Sequence, residues 1–437
     1  MDIMKGNRED AHRMLQCLAV AIRPLSVAEL AELLAFDFDA TKGGIPKLNS
    51  KWRWEDHEQA VLSTCSSLIT IIPVDDSQIV QFSHFSVKEF LLSDRLATLP
   101  KDISRYHIVP EAANTLIARA CLGVLLRDLV DENDAATAPL ALYAAEHWVA
   151  HARVENVVSR IRDGMENLFD ADRPYFSAWV ELYNVDRRRW IPGLDREVRP
   201  EAAPLYLAAF CGFYEIVEHL ALKHPEYANA ISGEAGTALH SASHAGHVEV
   251  VRSLLKSGVD VDALGIAGRS PLQLASRGGY LDVVQCLLDH GADANFRADD
   301  HSTPLIYAVE SGHLEIVRIL LEHSADIHAQ DNSGLTPLHI VILMSYLNSE
   351  SNHPQVVRFL LEHGANPNAQ DNERQTPLHG LSSSNLESPF RLEIARILLA
   401  HGADVDAEDE VGRTPLQVAS AEKKGVLVRL FSEYCSK

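Results

Sequence analysis

The six cysteines, Cys17, Cys65, Cys121, Cys211, Cys286 and Cys435, include no Cys-x-x-Cys pair. Their scatter excludes a disulfide framework or a paired-cysteine zinc site and fits free thiols in a reducing compartment. Basic residues are scarce, 39 Lys and Arg against 61 Asp and Glu, for a formal charge of −22. Such a surface repels phosphate backbones and anionic lipid, so direct nucleic-acid binding is not expected, while a basic protein partner is tolerated. Long apolar runs are missing too. The longest window, Ala112 to Leu126, contains Asn114 and Arg119 and is too short to span a bilayer, so no membrane partner is expected. Charge from Lys5 to Arg13, followed by a core-like helix from Met14 to Ile22, does not read as a signal peptide. The expected location is cytoplasmic or nuclear.

Catalytic signatures are lacking in the same way. The sequence contains no Gly-x-x-x-x-Gly-Lys-Ser/Thr loop, Gly-x-Ser-x-Gly elbow, His-Glu-x-x-His or Gly-x-Gly-x-x-Gly. The chain is therefore expected to be no enzyme and to carry no cofactor and no metal. His240, His244 and His247 have spacings that suit zinc, but His240 and His247 recur as parts of a repeat, which leaves only His244. The acidic pairs Asp131-Glu132 and Asp299-Asp300 read as solvated loop residues. The basic run Arg187 to Arg189 reads as a helix end or domain-joint salt bridge, with a partner patch or import signal as the alternative.

What the sequence does hold is self-similarity. At 437 residues it is too long for one core, and 46% hydrophobic with 23% charged residues is an ordinary globular composition. Aligned copies begin near Ala203, Thr237, Ser270, Thr303, Thr336, Thr376 and Thr414, at intervals of 34, 33, 33, 33, 40 and 38. The complete start reads Thr-Pro-Leu-His, as at Thr336 to His339. Seven copies at this period resemble ankyrin repeats.

Each part of a copy has a physical role. In the fourth, Thr303 stands at a helix N-cap and Pro304 at the first helical position, where no amide proton is needed. Leu305 and Ala308 are available to a core, and Gly312 permits the turn between two antiparallel helices. Ile316, Val317, Leu320 and Leu321 make one apolar stripe at helical spacing, with Glu315, Arg318 and Glu322 on the other side. Gly291, Gly364 and Gly402 are set to end helices in a left-handed cap. Asp331 to Gly334 has turn chemistry for a projecting finger. One such hairpin cannot bury its stripe alone, so the copies are expected to stack.

Some positions depart from the pattern. His301 and Arg374 stand where a finger turn usually carries glycine, Ala203 stands at a capping position, and Tyr206 stands where histidine is expected. The two long intervals place extra residues within Met344 to Pro354 and within Ser382 to Arg391, between the helices of their repeats. These polar loops read as tolerated insertions, with a contact role as the alternative.

The first 200 residues differ. Ser26 to Glu29 is a capping box opening a helix to about Leu34, and Ser86 to Glu89 is another opening Ser86 to Leu92. Glu55 to Leu68 is helical in pattern. Leu68 to Pro73 and Ile79 to His84 are strand-like around a turn at Asp75 to Ser77. This order suggests a winged-helix unit over 1–100. Residues 105–190 look helical, with Pro110 and Pro139 near helix starts and Pro174 at a break. A DNA-reading winged helix carries Lys or Arg, yet none occurs between Arg53 and Lys88, which again argues against direct nucleic-acid binding.

The segments Leu18-Ala-Val-Ala-Ile-Arg-Pro-Leu-Ser26, Gln81-Phe-Ser-His-Phe-Ser-Val-Lys-Glu-Phe-Leu91 and Ala141-Leu-Tyr-Ala-Ala-Glu-His-Trp148 resemble fungal NACHT–ankyrin proteins. The resemblance implies a winged helix of the kind that follows an NTPase domain, with repeats as the sensor or partner-binding part. The phosphate-binding loop is not in this sequence, so the family's nucleotide chemistry does not carry over.

The fold class expected is mostly α: an ankyrin-repeat solenoid (200–437) preceded by a winged-helix-like α+β unit (1–100) and a helical linker domain (101–199). The function expected is a non-enzymatic protein-interaction adaptor or scaffold in signalling or self/non-self recognition. The alternatives are a transcriptional co-regulator gripping a DNA-binding protein, and part of a larger NACHT-type NTPase. Partner-binding residues are expected where copies vary without a packing role. At the fingers these are Ile266, Ala267, Arg269, Asp299, Asp300, Ser302, Asn332, Ser333, Leu335, Asn372, Glu373, Gln375, Glu410, Val411 and Arg413. On the first helices they are His244, Arg277 and Glu310. Ile266, Leu335 and Val411 are the expected apolar anchors. Partner identity and oligomeric state are not legible.

Overall fold

The computed structural model describes residues 2–38, 44–49, 61, 68–74, 77–127, 138–170, 173–185, 204–232, 236–345, 352–383 and 391–435. The chain divides into two compact units, residues 1–204 and 205–437.

In the first unit, helix Asp2–Val20 buries Met14, Leu15, Cys17 and Leu18, the helical spacing of one apolar face. That face meets helix Pro110–Leu125, which also packs on Ala141–Ala152 and Val157–Leu168. The winged-helix and helical segments thus share one core. Aromatic rings fill its far side: Trp148 and Trp179 meet edge to face with centroids 5.4 Å apart, and Trp179 Nε1 donates to Ala145 O at 3.1 Å. A polar chain crosses the core. Asn114 Nδ2 donates to Pro110 O at 2.7 Å, which turns Asn114 Oδ1 toward His151. That oxygen accepts from His151 Nδ1 at 2.7 Å, leaving Nε2 to accept from the Tyr143 hydroxyl at 2.8 Å.

Among the described residues five short strands complete this unit: β1 (Leu25–Ser26), β2 (Phe36–Asp37), β3 (Lys47–Leu48), β4 (Ile69–Val74) and β5 (Ser77–Phe82). They form a three-stranded antiparallel sheet in the order β1-β5-β4 and a separate β2–β3 ribbon. In register, Val80 lies between Leu25 and Ile71. The expected hairpin is present with a third strand added, because two residues of β1 are too few for a period-two pattern to show. Ser26 caps helix Val27–Leu34 in the expected box with Glu29. The second expected box is corrected: helix Phe85–Leu92 is capped by His84, whose Nδ1 accepts from Ser86 N at 3.2 Å. The imidazole takes the Ser86 amide that the expected box assigns to the Glu89 side chain, and the Ser86 hydroxyl lies 2.7 Å from the same Nδ1. Pro110 opens its helix, and the break at Pro174 precedes helix Tyr175–Val185. The expected helix from Glu55 lies, apart from residue 61 and its end at Leu68, outside the described residues, as do Asp75, Asp76 and Arg187 to Arg189.

The second unit is a stack of helical hairpins. First helices pack on first helices and second helices on second helices along the chain, so the unit has two helical layers with fingers at one side. The leucine two places after each start (Leu205, Leu239, Leu272, Leu305, Leu338, Leu378) is sealed in the core. In the fourth repeat, helices Pro304–Glu310 and Leu314–Glu322 bury Leu305, Ala308, Ile316, Val317 and Leu320, while Leu321 is half-buried. Thr303 is the N-cap, its hydroxyl accepting from Ile306 N at 3.4 Å. Gly291, Gly364 and Gly402 take φ of 89°, 96° and 85°, as left-handed caps require. In the two longer repeats, 346–351 and 384–390 lie outside the described residues, and so does Ala203. Among the described residues no helix is long and apolar enough to cross a membrane.

Candidate functional site

Each finger is set by a tight turn and by the repeat on either side of it. Asp331 Oδ1 accepts from Ser333 N at 2.8 Å and Leu335 N at 2.9 Å. Asp371 and Asp409 do the same for Glu373 with Gln375 and for Val411 with Arg413. Two residues before each helix cap the backbone is left-handed, with φ of 63° at Gly268, 61° at His301, 77° at Gly334, 59° at Arg374 and 78° at Gly412. The fingers that lack glycine therefore keep the same turn, with a side chain held in a region that disfavours it.

The fingers are chained to one another. Asp299 N donates to Ala267 O at 3.1 Å, Asn332 N to Asp300 O at 3.0 Å, Asn372 N to Ser333 O at 3.1 Å and Glu410 N to Glu373 O at 3.0 Å. Histidines at the repeat starts add a second tie. His240, His339 and His379 accept at Nδ1 from the amide of the capping threonine. Their Nε2 then donates to Arg269 O, Gln375 O and Arg413 O in the following finger, at 2.9, 3.1 and 2.9 Å. Burial holds the His240 and His339 imidazoles below the usual histidine range, so they are neutral near pH 7. His247 is also structural, its Nε2 donating to Phe210 O at 3.0 Å. Tyr206, at the first histidine position, is half-buried and accepts at its carbonyl from the Ser241 hydroxyl.

On this frame Ile266, Ala267, Asp299, Asp300, Asn332, Ser333, Asn372, Glu373, Glu410, Val411 and Arg413 are exposed, and so are His244 and Arg277 on the first helices. Arg269, Glu310, Leu335 and Gln375 are half-buried. Ser302 is buried, because its amide donates to Asp300 Oδ1 and its carbonyl accepts from Gln273 Nε2. Several of these side chains are engaged within the stack. Asn332 Nδ2 donates to Asp299 O at 3.2 Å, and Asn372 Nδ2 donates to Asn332 O at 2.9 Å. Arg269 Nε donates to the Tyr307 hydroxyl at 3.0 Å, Arg277 lies 4.0 Å from Glu310, and Arg413 pairs with Asp409 at 2.9 Å. Of the three apolar anchors expected, Ile266 (54% exposed) and Val411 (76%) project fully and Leu335 only in part.

Among the exposed apolar residues not anticipated are Ile231 and Leu264, six places before their repeat starts. Later repeats carry Arg297, Gln330, Gln370 and Glu408 at that position, and this switch from apolar to polar was the signal that could have found them.

Comparison with known proteins follows the same division. The family model "Ankyrin repeats (3 copies)" matches residues 205–298, 292–371 and 343–436. The model "GPI inositol-deacylase, winged helix domain" matches residues 1–99. The chain is similar to Azaphilone pigments biosynthesis cluster protein L of Monascus ruber, 32% identical over 272 residues, 58% of this chain and 56% of that protein. It is also similar to Alpha-latrocrustotoxin-Lt1a of Latrodectus tredecimguttatus, 38% identical over 69 residues, 16% of this chain and 5% of the toxin. The chain thus spans little more than half of the first relative and a small part of the second. Among solved structures, the ankyrin repeat domain of Bcl-3 is 31% identical with a TM-score of 0.44, covering 49% of this chain and 93% of that one. The human ASB11 ankyrin repeat domain is 27% identical with a TM-score of 0.43, covering 49% and 91%. With repeat matches running from residue 205 to 436, more than half its length, the chain belongs to the ankyrin-repeat family.

Proposed function

We propose that this chain is an adaptor without catalytic activity of its own, which grips a protein partner with its finger tips and first helices in signalling or in self/non-self recognition. Ankyrin repeats are a scaffold for protein–protein interaction. The observation that carries the finer reading is the contrast between fixed and free positions. The buried leucine is the same in six repeats, whereas one exposed register at successive tips reads Ile266, Asp299, Asn332, Asn372 and Glu410. Core packing does not dictate that series, and apart from the ties that Asn332 and Asn372 make between fingers it is available to recognition. Asp299, Asp300, Glu373 and Glu410 in a chain of charge −22 favour a basic partner. A winged-helix match in front of the repeats supports the NACHT–ankyrin resemblance, and with it the signalling reading. A cytoplasmic or nuclear location is part of the proposal. The reading as part of a larger NTPase is answered by a full-length transcript that encodes, or does not encode, a phosphate-binding loop.

The co-regulator reading is kept as second, beside a Monascus ruber relative that is named for a pigment-biosynthesis cluster. Affinity capture from the native cell with quantitative mass spectrometry separates the two. Wild type is compared with a chain carrying Ile266→Ser and Val411→Ser. A signalling protein lost from the variant supports the adaptor. A transcription factor lost from it supports the co-regulator, and identical partner sets remove the fingers from both.

A further inference from the structure

The face built by fingers and first helices is not uniform along the stack, and it holds a cavity between the fifth and sixth repeats. Four residues after each repeat start, the first helix carries Leu207, Ser241, Leu274, Tyr307, Ile340, Gly380 and Val418 in turn. Tyr307 fills its place with a ring that also receives Arg269. Gly380 fills nothing: a Cβ added there would meet no atom within 4 Å. The space left is a cavity of about 70 Å³ lined by Leu335, His339, Leu343, Gln375, Pro377 and Gly380 among others. Leu335, Leu343 and Gly380 are each only half-buried, so the cavity opens to the surface.

Its polar walls are already committed. His339 accepts at Nδ1 from Thr336 N and donates from Nε2 to Gln375 O. Asp371 Oδ1 holds the amides of Glu373 and Gln375, and Gln375 Nε2 donates to Glu373 Oε2 at 2.9 Å. What the cavity offers a visitor is therefore the apolar surface of Leu335, Leu343 and Pro377. Its volume is about half that of the roughly 150 Å³ apolar cavity that takes a benzene ring. A branched aliphatic side chain matches it and an aromatic ring does not. Asp371 and Gln375 of the sixth finger line the cavity, and the exposed Glu373 lies between them in sequence beside Arg374. The seventh finger, bonded to the sixth through Glu410 N and Glu373 O, adds exposed Glu408 and Glu410, while Asp409 is buried and paired with Arg413.

We propose that this cavity is an anchor site for a Val, Ile or Leu side chain of a partner segment that carries Lys or Arg beside it. The proposal rests on the reading of the repeats as a partner-binding face and names the chemistry of the contact. Burial of one aliphatic side chain accounts for about tenfold to hundredfold in affinity, which makes the site large enough to measure.

The test is a peptide-display selection with random 12-residue peptides against the full chain, with the enriched peptides titrated on wild type, Gly380→Leu and, as a control on a second helix, Glu362→Ala. Gly380 is helical and does not take positive φ, so Gly380→Leu removes a helix-interior glycine and should melt at or above the wild-type temperature. Expected are peptides that share an aliphatic residue flanked by Lys or Arg and bind Gly380→Leu at least tenfold more weakly, with Glu362→Ala unchanged. If Gly380→Leu melts lower, Leu343→Arg puts a charge on the opposite wall and must cause the same loss. Peptides that lack an aliphatic residue, or that bind the cavity variant as well as wild type, overturn the anchor site and leave the partner-binding face standing. Failure of any peptide to enrich on wild type overturns both.

Discussion

The imidazole of His240 caps its own helix at one ring nitrogen and, from the other, holds the carbonyl of Arg269 at 2.9 Å, 29 residues further along the chain. One neutral side chain thus ties a helix start to the next finger. Gln273 meets both demands in the third repeat, accepting from Ser270 N and donating to Ser302 O at 2.8 Å. His240→Gln is therefore expected to cost less than about 1 kcal/mol. His240→Ala, which strands a buried amide and a carbonyl, is expected to cost about 1–3 kcal/mol. Urea unfolding of the two variants distinguishes them: equal large losses would mean that glutamine does not replace the tie, and no loss in either that the tie contributes nothing.

Glycines with the same backbone need not be equivalent. Gly334 and Gly412 have φ of 77° and 78°, but a Cβ on Gly334 would lie 2.7 Å from Asn372 N, whereas one on Gly412 meets nothing within 4 Å. Gly412→Ala should lose about 1 kcal/mol from backbone strain alone. Gly334→Ala should lose clearly more, because the obstacle is backbone of the next finger. In the opposite direction, His301→Gly and Arg374→Gly should leave stability unchanged or raise it by about 0.5 kcal/mol, relief of strain being partly offset by chain entropy. Thermal melts of the four variants check the order.

Leu320 is sealed in the fourth repeat, and Leu320→Ala is expected to cost about 2–5 kcal/mol by opening a cavity. An unchanged unfolding midpoint would contradict the assigned stripe.

Acid should destabilise the first unit through His151. Burial and the nearby His147 lower its pKa to about 4, below the 6.5 of an unperturbed histidine. The unfolded chain thus binds the proton first, and stability present above pH 6.5 is lost as pH falls toward about 4. Between pH 7.5 and 5 the loss from this group is about 2 kcal/mol. His151→Gln should flatten that part of the stability–pH curve, and a variant with the wild-type slope would place the titration elsewhere.

Much of the second unit was legible because each demand recurs. The Thr-Pro-Leu start fixes a cap, a first helical residue and a core leucine at once, and seven copies repeat the message. Non-repeating geometry was less readable. The cap of helix Phe85–Leu92 fell to His84 because its imidazole takes the Ser86 amide that the expected box assigns to the Glu89 side chain. Strand β1 shows no pattern at two residues. Ser302 varies among copies like a surface residue, yet its backbone bonds draw it inside. The space beside Gly380 was not legible, since sequence shows which side chain is missing but not what fills its place.

The central claim, that finger tips and first helices hold a protein partner, is tested most directly by hydrogen exchange of the full chain with and without a captured partner. The account predicts that protection falls on the fingers around Ile266, Asp299, Asn332, Asn372 and Glu410 and on the first helices beside them. Protection confined to residues 1–204, with the fingers exchanging as in the unbound chain, would contradict it.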